Sequence, residues 1–266
     1  MKDFYKDKVV VVTGGAGVLG SSMARCFYDL EAQVILIDRN EDALNEQLKE
    51  LPKAKSFIGD VLSQESINGI KEEIIKEFGK VDVLLNVAGG NVEGATQRED
   101  QTVFDIDSGL IDKAIQLNLH GTIYPSLVFG EMIAKNANGG SIINISSMAT
   151  YSAITRVMGY SIAKSGVNSL TQWMACELAR NYGDKVRVNA IAPGFFIGNQ
   201  NRKLLLNPDG SLTSRSEKVI NKTPMGRFGS IDELNGAVKF LCGNEATFIT
   251  GVVLPIDGGF SAFSGV

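Results

Sequence analysis

Short, nearly continuous apolar runs recur along this chain, with longer amphipathic stretches between them. Val9–Val12, Val34–Ile37, Val81–Leu85, Ser141–Ile145, Val186–Ile191 and Val252–Ile256 are rich in β-branched residues. Their lack of polar alternation predicts strands buried on both faces of a parallel sheet. Between them lie segments of helical length, among them Val18–Leu30, Ser63–Phe78, Tyr160–Tyr182 and Ser230–Cys242. Repeated alternation of strand and helix predicts an α/β fold, a doubly wound parallel sheet with helices on both faces. No repeat, low-complexity tract or Pro-, Gly- or Ser-rich linker divides the chain, so one domain over residues 1–266 is expected.

Two segments break the rhythm. Gly90–Ile115 is polar and acidic, with Glu93, Glu99, Asp100, Asp105 and Asp107. Phe195–Thr223 lies between a strand-like run and a helix-like one. Both follow the carboxyl ends of predicted strands, where doubly wound sheets place ligands. Long loops in such places serve as lids. Residues 195–223 are the expected substrate lid, and Asn91, at the head of the first segment, is a candidate substrate contact.

Composition narrows the function classes. At 266 residues the chain can bury a large core, and 44% hydrophobic with 21% charged residues suits a globular protein. A net charge of −4 without a basic stripe argues against a nucleic-acid surface. No apolar run approaches the roughly 20 residues that span a bilayer, and the N-terminus lacks an apolar signal region, so no membrane and a cytoplasmic location are expected. Cys26, Cys176 and Cys242 are odd in number and widely spaced, which reads as buried reduced thiols. No Asp, Glu, His or Cys spacing suggests a metal.

The chemistry-bearing residues fall in two groups. Gly15-x-Gly17-x-x-Gly20 follows a predicted strand and opens a predicted helix, the form of a dinucleotide fingerprint. Glycines there let the backbone approach a pyrophosphate, which the helix N-terminus also attracts. Asp38 ends the next strand at the distance expected of a ribose-binding carboxylate. That carboxylate repels a 2′-phosphate and favours NAD, although Arg39 beside it leaves NADP open. The second group is Tyr160 and Lys164, one helical turn apart, with Ser147 upstream. A phenol of pKa about 10 becomes a useful acid/base near neutral pH only when a neighbouring cation favours its ionised form. Loop and pair together suggest hydride transfer between a nicotinamide cofactor and an alcohol or ketone.

These motifs, in this order, resemble those of the short-chain dehydrogenase/reductase family from end to end, implying a single-domain Rossmann-type sheet. Gly14, Gly17, Val18, Leu19 and Gly20 resemble its cofactor loop, Asp60 and Val61 its adenine-contacting pair, and Asn86-Val87-Ala88-Gly89 its strand-four motif. Pro193-Gly194 resembles the turn behind the nicotinamide, with Phe196 expected to offer backbone to the carboxamide. Asn118, Ser147, Tyr160 and Lys164 match the family's catalytic set. Val18 departs from the glycine usual at its position. The resemblance implies that Tyr160 exchanges a proton with substrate, that Lys164 binds the nicotinamide ribose and lowers the Tyr160 pKa, and that Ser147 donates to the substrate oxygen. Asn118 is expected to support Lys164 in a proton relay. Ser146 and His120 are expected to be structural.

The segment Gly198–Lys203 is polar and cationic, which suits a carboxylate-bearing polyol: Arg202 could grip the acid while Asn199 meets a hydroxyl, and Arg156 is a second candidate cation. The stretches around Pro193–Arg202, Asn207–Gly210, Thr223–Phe228 and Gly258–Val266 resemble the D-mannonate oxidoreductase (fructuronate reductase) subgroup. That resemblance implies NADH-dependent reduction of D-fructuronate to D-mannonate. Gluconate/5-ketogluconate, a 3-oxoacyl group, or a non-catalytic dinucleotide-sensing scaffold remain alternatives. The family is usually tetrameric, so a homotetramer is expected, with the apolar end from Phe260 a candidate contact.

Overall fold

The computed structural model describes residues 2–98, 100–197 and 205–265. In chain order these form α1 (Lys2–Tyr5), β1 (Val9–Thr13), α2 (Val18–Tyr28), β2 (Gln33–Asp38), α3 (Glu41–Glu50), β3 (Lys55–Ile58), α4 (Gln64–Phe78) and β4 (Val83–Asn86). There follow α5 (Ser108–Ile115), α6 (Gly121–Lys135), β5 (Gly140–Ile145), α7 (Met158–Tyr182), β6 (Val186–Pro193) and β7 (Phe196–Ile197). The chain ends with α8 (Ser214–Lys222), β8 (Gly229–Ser230), α9 (Glu233–Cys242) and β9 (Val253–Ile256). Seven strands make one sheet in the order β3-β2-β1-β4-β5-β6-β9, every pairing parallel.

Alternation within each strand supplies both halves of the core. Val10, Val12, Leu36 and Leu85 face Met23 and Phe27 of α2 and Leu234, Val238 and Leu241 of α9. Val9, Val11, Ile35 and Leu84 face Ile70 and Ile74 of α4 and Phe129 and Ile133 of α6. All the strand residues just named are nearly inaccessible to solvent, which is why their runs carry no polar alternation. Helix α4 begins where Ser63 accepts from the Ser66 amide at 3.2 Å and stops at Gly79, whose φ of +71° suits a residue without Cβ.

Several boundaries differ from the sequence reading. Strand β3, Lys-Ser-Phe-Ile, was hidden by its polarity, which it tolerates because it is the sheet's edge. The segment Gly90–Ile115 is not all loop: a 3₁₀ turn at Val103–Asp105 and α5 occupy its second half. Ser230 belongs to a short strand pairing with β7, and the following helix starts only at Glu233. The three thiols are free, but only Cys242 is buried; Cys176 is exposed on α7. Among the described residues no helix is long and apolar enough to cross a membrane.

Buried Arg187 of β6 ties the sheet to the end of α9. Its guanidinium donates to the carbonyls of Leu241, of Cys242 at 3.1 Å and of Gly243 at 3.0 Å. These are helix-terminal carbonyls with no partner of their own within the helix. Arg187→Met is therefore expected to lower the unfolding free energy by about 2–3 kcal/mol in urea titrations. A loss below about 0.5 kcal/mol would mean that water satisfies those carbonyls equally well.

Candidate active site

β1 is the strand at which the sheet order reverses, with β2 on one side and β4 on the other. Chain leaving their carboxyl ends diverges there and leaves a crevice. The turn from β1 into α2 depends on missing side chains. Gly14 has φ +63°, and a Cβ on it would stand 2.8 Å from the Ala88 backbone. A Cβ on Gly20 would come within 2.1 Å of the Gly14 carbonyl oxygen. Thr13 fixes the facing turn, its hydroxyl accepting from the amides of Val87 at 3.2 Å and Ala88 at 3.3 Å. Helix α2 starts after Gly17, which offers no side-chain cap. Its first amides therefore remain available to an anion.

The resulting cleft has a volume of ≈ 410 Å³. Gly14, Gly17, Val18, Leu19 and Gly20 form one wall. Asp38 and Arg39 close one end, with Asp60 and Val61 beside them. The Asp38 carboxylate is held toward the glycine turn, accepting from the amides of Ala16 at 3.2 Å and Asn40 at 3.1 Å. Ala88, Gly89, Tyr160 and Lys164 complete the far side. A cradle that any Cβ would fill, an uncapped helix start and a carboxylate one strand away fit a dinucleotide: phosphates at the turn, ribose at Asp38.

A second chamber of ≈ 240 Å³ opens beyond it, lined by Ser147, Pro193, Gly194, Phe196 and Ile231. Tyr160 lines both chambers, as do Val18, Leu19 and Ile145. The phenol thus stands at their junction.

Local structure sets each polar group there. Ser147 follows β5 and caps the 3₁₀ turn Met148–Thr150, its Oγ accepting from the Ala149 amide at 3.1 Å. Its hydroxyl also hydrogen-bonds the Tyr160 phenol. Lys164 lies one turn along α7 and is 3% exposed; its Nζ donates to the Ile145 carbonyl at 2.8 Å and sits 5.6 Å from the Tyr160 ring centre. Burial pushes the Lys164 ammonium down to about 8, because the charged form is poorly solvated there. Burial also raises the Tyr160 phenol, and the Ser147 hydrogen bond partly opposes this. The expected lowering of Tyr160 by Lys164 is therefore not a property of the chain alone: burial raises the phenol, and the cause that opposes it is the Ser147 hydroxyl and not the Lys164 ammonium.

Asn118 sits in a π-helical turn, Gln116–His120, between α5 and α6. Its Nδ2 donates to Gly90 O and Ala114 O, both at 2.9 Å, and its Oδ1 accepts from the Gly90 amide at 2.8 Å. Gly89 allows this meeting. A Cβ there would lie 2.8 Å from Asn118 Oδ1 and 3.4 Å from Lys164 Nζ. The Asn118 side chain thus locks the loop beside Lys164.

The family profile described as enoyl-(acyl carrier protein) reductase matches residues 14–261. An uncharacterised oxidoreductase of Bacillus subtilis, UxuB, is 41% identical, the match covering 97% of this chain and 96% of the relative. The chain is a member of the short-chain dehydrogenase/reductase family. A crystal structure from Haemophilus influenza, provisionally named a D-mannonate oxidoreductase and holding NAD, superposes with a TM-score of 0.91 at 40% identity; the match covers 98% of this chain and 97% of that one. The 2-dehydro-3-deoxy-D-gluconate 5-dehydrogenase of Escherichia coli is 31% identical over 96% of each chain.

Not every residue singled out in this short-chain dehydrogenase/reductase reaches the cleft. Asn86 is a correction to the sequence reading: its side chain is buried in the core, with Nδ2 donating to Ser126 Oγ and Asn144 Oδ1, both at 2.8 Å. Asn144 in turn donates to Thr171 of α7 at 2.9 Å, and Thr122 donates to the Asn118 carbonyl at 3.1 Å. Asn86 thus links β4 to β5 and α6 and lines neither chamber. Asn91 is exposed and also lines neither. Arg156 is engaged elsewhere, its Nε donating to the Gln97 carbonyl at 2.5 Å. Asn199 and Arg202 lie outside the described residues, as do Gly198 and Lys203. Ser146 does line the second chamber, but its hydroxyl donates to Asn168 of α7, and His120 stacks on Tyr124 at 5.6 Å. Ile231 and Leu117 line the site without having been foreseen, being lone apolar residues with no motif around them. Among the described residues no group of His, Cys, Asp or Glu converges to hold a metal ion.

Proposed function

We propose that this short-chain dehydrogenase/reductase reduces the ketone of a sugar acid with NADH, and that the substrate is D-fructuronate, the product D-mannonate. The observation that carries the reading is the placement of Tyr160 at the junction of a dinucleotide-shaped cleft and a smaller chamber containing Ser147. Likeness along the whole chain to an NAD-holding structure supports the cofactor, as does the Asp38 carboxylate, which opposes a 2′-phosphate more directly than Arg39 invites one. A relative named for a ketogluconate derivative supports a sugar acid as substrate class.

When bound, NAD supplies the two-electron chemistry and, in its oxidised form, a positive charge. The chain supplies the rest. Ser147 donates to the substrate oxygen as negative charge develops there. Tyr160 delivers the proton to that oxygen. Lys164, held by the Ile145 carbonyl, would hold the nicotinamide ribose and carries the charge that favours the phenolate once the proton has left. Asn118 keeps Gly90 and Gly89 folded beside it. The homotetramer and the cytoplasmic location form part of the same reading. Leu127 of α6 and Ile162 and Trp173 of α7, each more than half exposed, support self-association.

The test is a substrate panel of hexuronates, ketogluconates, neutral ketoses and a 3-oxoacyl thioester, each with NADH and NADPH, followed at the nicotinamide absorbance. Fructuronate with NADH is expected to give the highest kcat/KM by at least tenfold. A neutral ketone or the thioester outperforming every sugar acid would overturn the substrate class. NAD binding without turnover of any member would favour a sensing scaffold.

A further inference from the structure

The loop entering α7 has an unusual backbone at one residue. Arg156 has φ +76°, one of three non-glycine residues in the left-handed region among those described. Such a conformation persists only where the surroundings over-determine it, and it recurs near functional sites. Those surroundings include Gln97. The Arg156 carbonyl accepts from the Gln97 amide at 2.9 Å, and the Arg156 Nε donates back to the Gln97 carbonyl at 2.5 Å. Gln97 is itself fixed, its Nε2 donating to the Gln101 carbonyl at 2.7 Å. One residue therefore joins the α7 entry loop to the segment after β4 through main chain and side chain together.

What this clip closes is visible on either side of it. Four residues later stands Tyr160. The segment that Gln97 belongs to starts at Gly90, which Asn118 grips through both its amide atoms. Between the two, α7 lies hard against α5: a Cβ on Gly159 would come within 3.1 Å of the Ile111 carbonyl and 3.2 Å of Ala114 Cβ. Phenol and Asn118 loop are thus spaced by the α5–α7 contact, and the Gln97–Arg156 clip closes its open end.

We propose that Arg156 is a positioning residue: held in a left-handed conformation and doubly hydrogen-bonded to Gln97, it fixes the start of α7 and thereby the placement of the Tyr160 phenol over the cleft. This replaces the sequence-based expectation that its guanidinium grips a substrate carboxylate. The inference rests on the oxidoreductase reading of Tyr160.

Two variants separate the possibilities. Arg156→Gly accepts the positive φ without strain and removes the guanidinium, while Arg156→Lys keeps the charge and loses the Nε donor. Both are expected to lower kcat about tenfold or more, since a small misplacement of an acid/base is costly. KM for the sugar acid and Kd for NAD should stay within about threefold of wild type. The pH profile should show the phenol's apparent pKa displaced in both variants. If Arg156→Lys behaves as wild type while Arg156→Gly raises KM tenfold with kcat intact, Arg156 grips substrate and the inference is wrong. Wild-type kcat in both variants overturns it too. Should wild type turn over no member of the panel, the proposed function fails on its own. The clip is then judged by ultraviolet difference titration of the NAD complex against Tyr160→Phe: an unmoved phenol pKa in Arg156→Gly refutes it.

Discussion

Tyr160→Phe is expected to lower turnover by about 10³-fold while NAD still binds with nearly unchanged affinity. Phenylalanine keeps the ring that lines both chambers and deletes only the hydroxyl. Positioned proton transfer is worth roughly 10²–10⁴-fold, and here Ser147 cannot replace it, since its hydroxyl stabilises the substrate oxygen where charge develops but, as an alcohol, is a far weaker acid than a phenol. Direction of pH dependence follows from burial. The phenol is raised above its ordinary value in the free chain, so it is protonated at neutral pH and ready to donate. Ketone reduction should then run on a plateau at low pH and fall as pH rises through the phenol's pKa in the complex; alcohol oxidation should do the opposite. Stopped-flow or steady-state absorbance gives the rates, and nucleotide fluorescence gives Kd. Activity within tenfold of wild type, or a Kd raised as much as kcat falls, would remove Tyr160 from the proton-donor role.

How much of this could be read from residues alone differs from element to element. The central strands were legible because a doubly buried strand must be apolar at every position, as in Val9–Val12. The edge strand β3 was not, since one exposed side frees Lys55 and Ser56 from that rule. Glycines at 14, 17 and 20 announced the cradle, because their requirement is local: each meets backbone where a Cβ would sit. Ser147, Tyr160 and Lys164 were recognisable through fixed spacing on one helix and the strand before it. Asn86 misled because motif membership fixes a position and not the direction of its side chain, which here points into a polar chain running through the core. The pairing of Arg156 had no local signal either. Its carbonyl and Nε pair with Gln97, in a loop 59 residues away in sequence. The π-turn at Asn118 had no local signal, because a widened turn is imposed by what packs on either side of it.

Lys164→Met is expected to make the cofactor-free protein more stable at pH 7 and nearly inactive. Lys164 is buried, and among its described contacts the Ile145 carbonyl is a neutral partner; no carboxylate pairs with it. Its folded pKa of about 8 lies below the value of about 10.4 for a solvated lysine. At pH 7 both folded and unfolded chains carry the charge, so folding bears the whole desolvation cost. Replacing an unpaired buried charge with an apolar side chain of similar length should recover about 1–3 kcal/mol. Between pH 8 and about 10.4 the wild-type lysine releases its proton in the folded state first, so wild-type stability rises over that window relative to the variant. The stability gap should therefore shrink by pH 10, as urea unfolding at the two pH values would show. The cost falls on function: without the ammonium, NAD binding weakens and turnover drops by about 10²–10³-fold, because the phenolate loses the charge that favours it. A methionine variant less stable than wild type at pH 7, or a gap unchanged at pH 10, would mean that the ammonium is solvated and that its burial is not where the enzyme stores this strain.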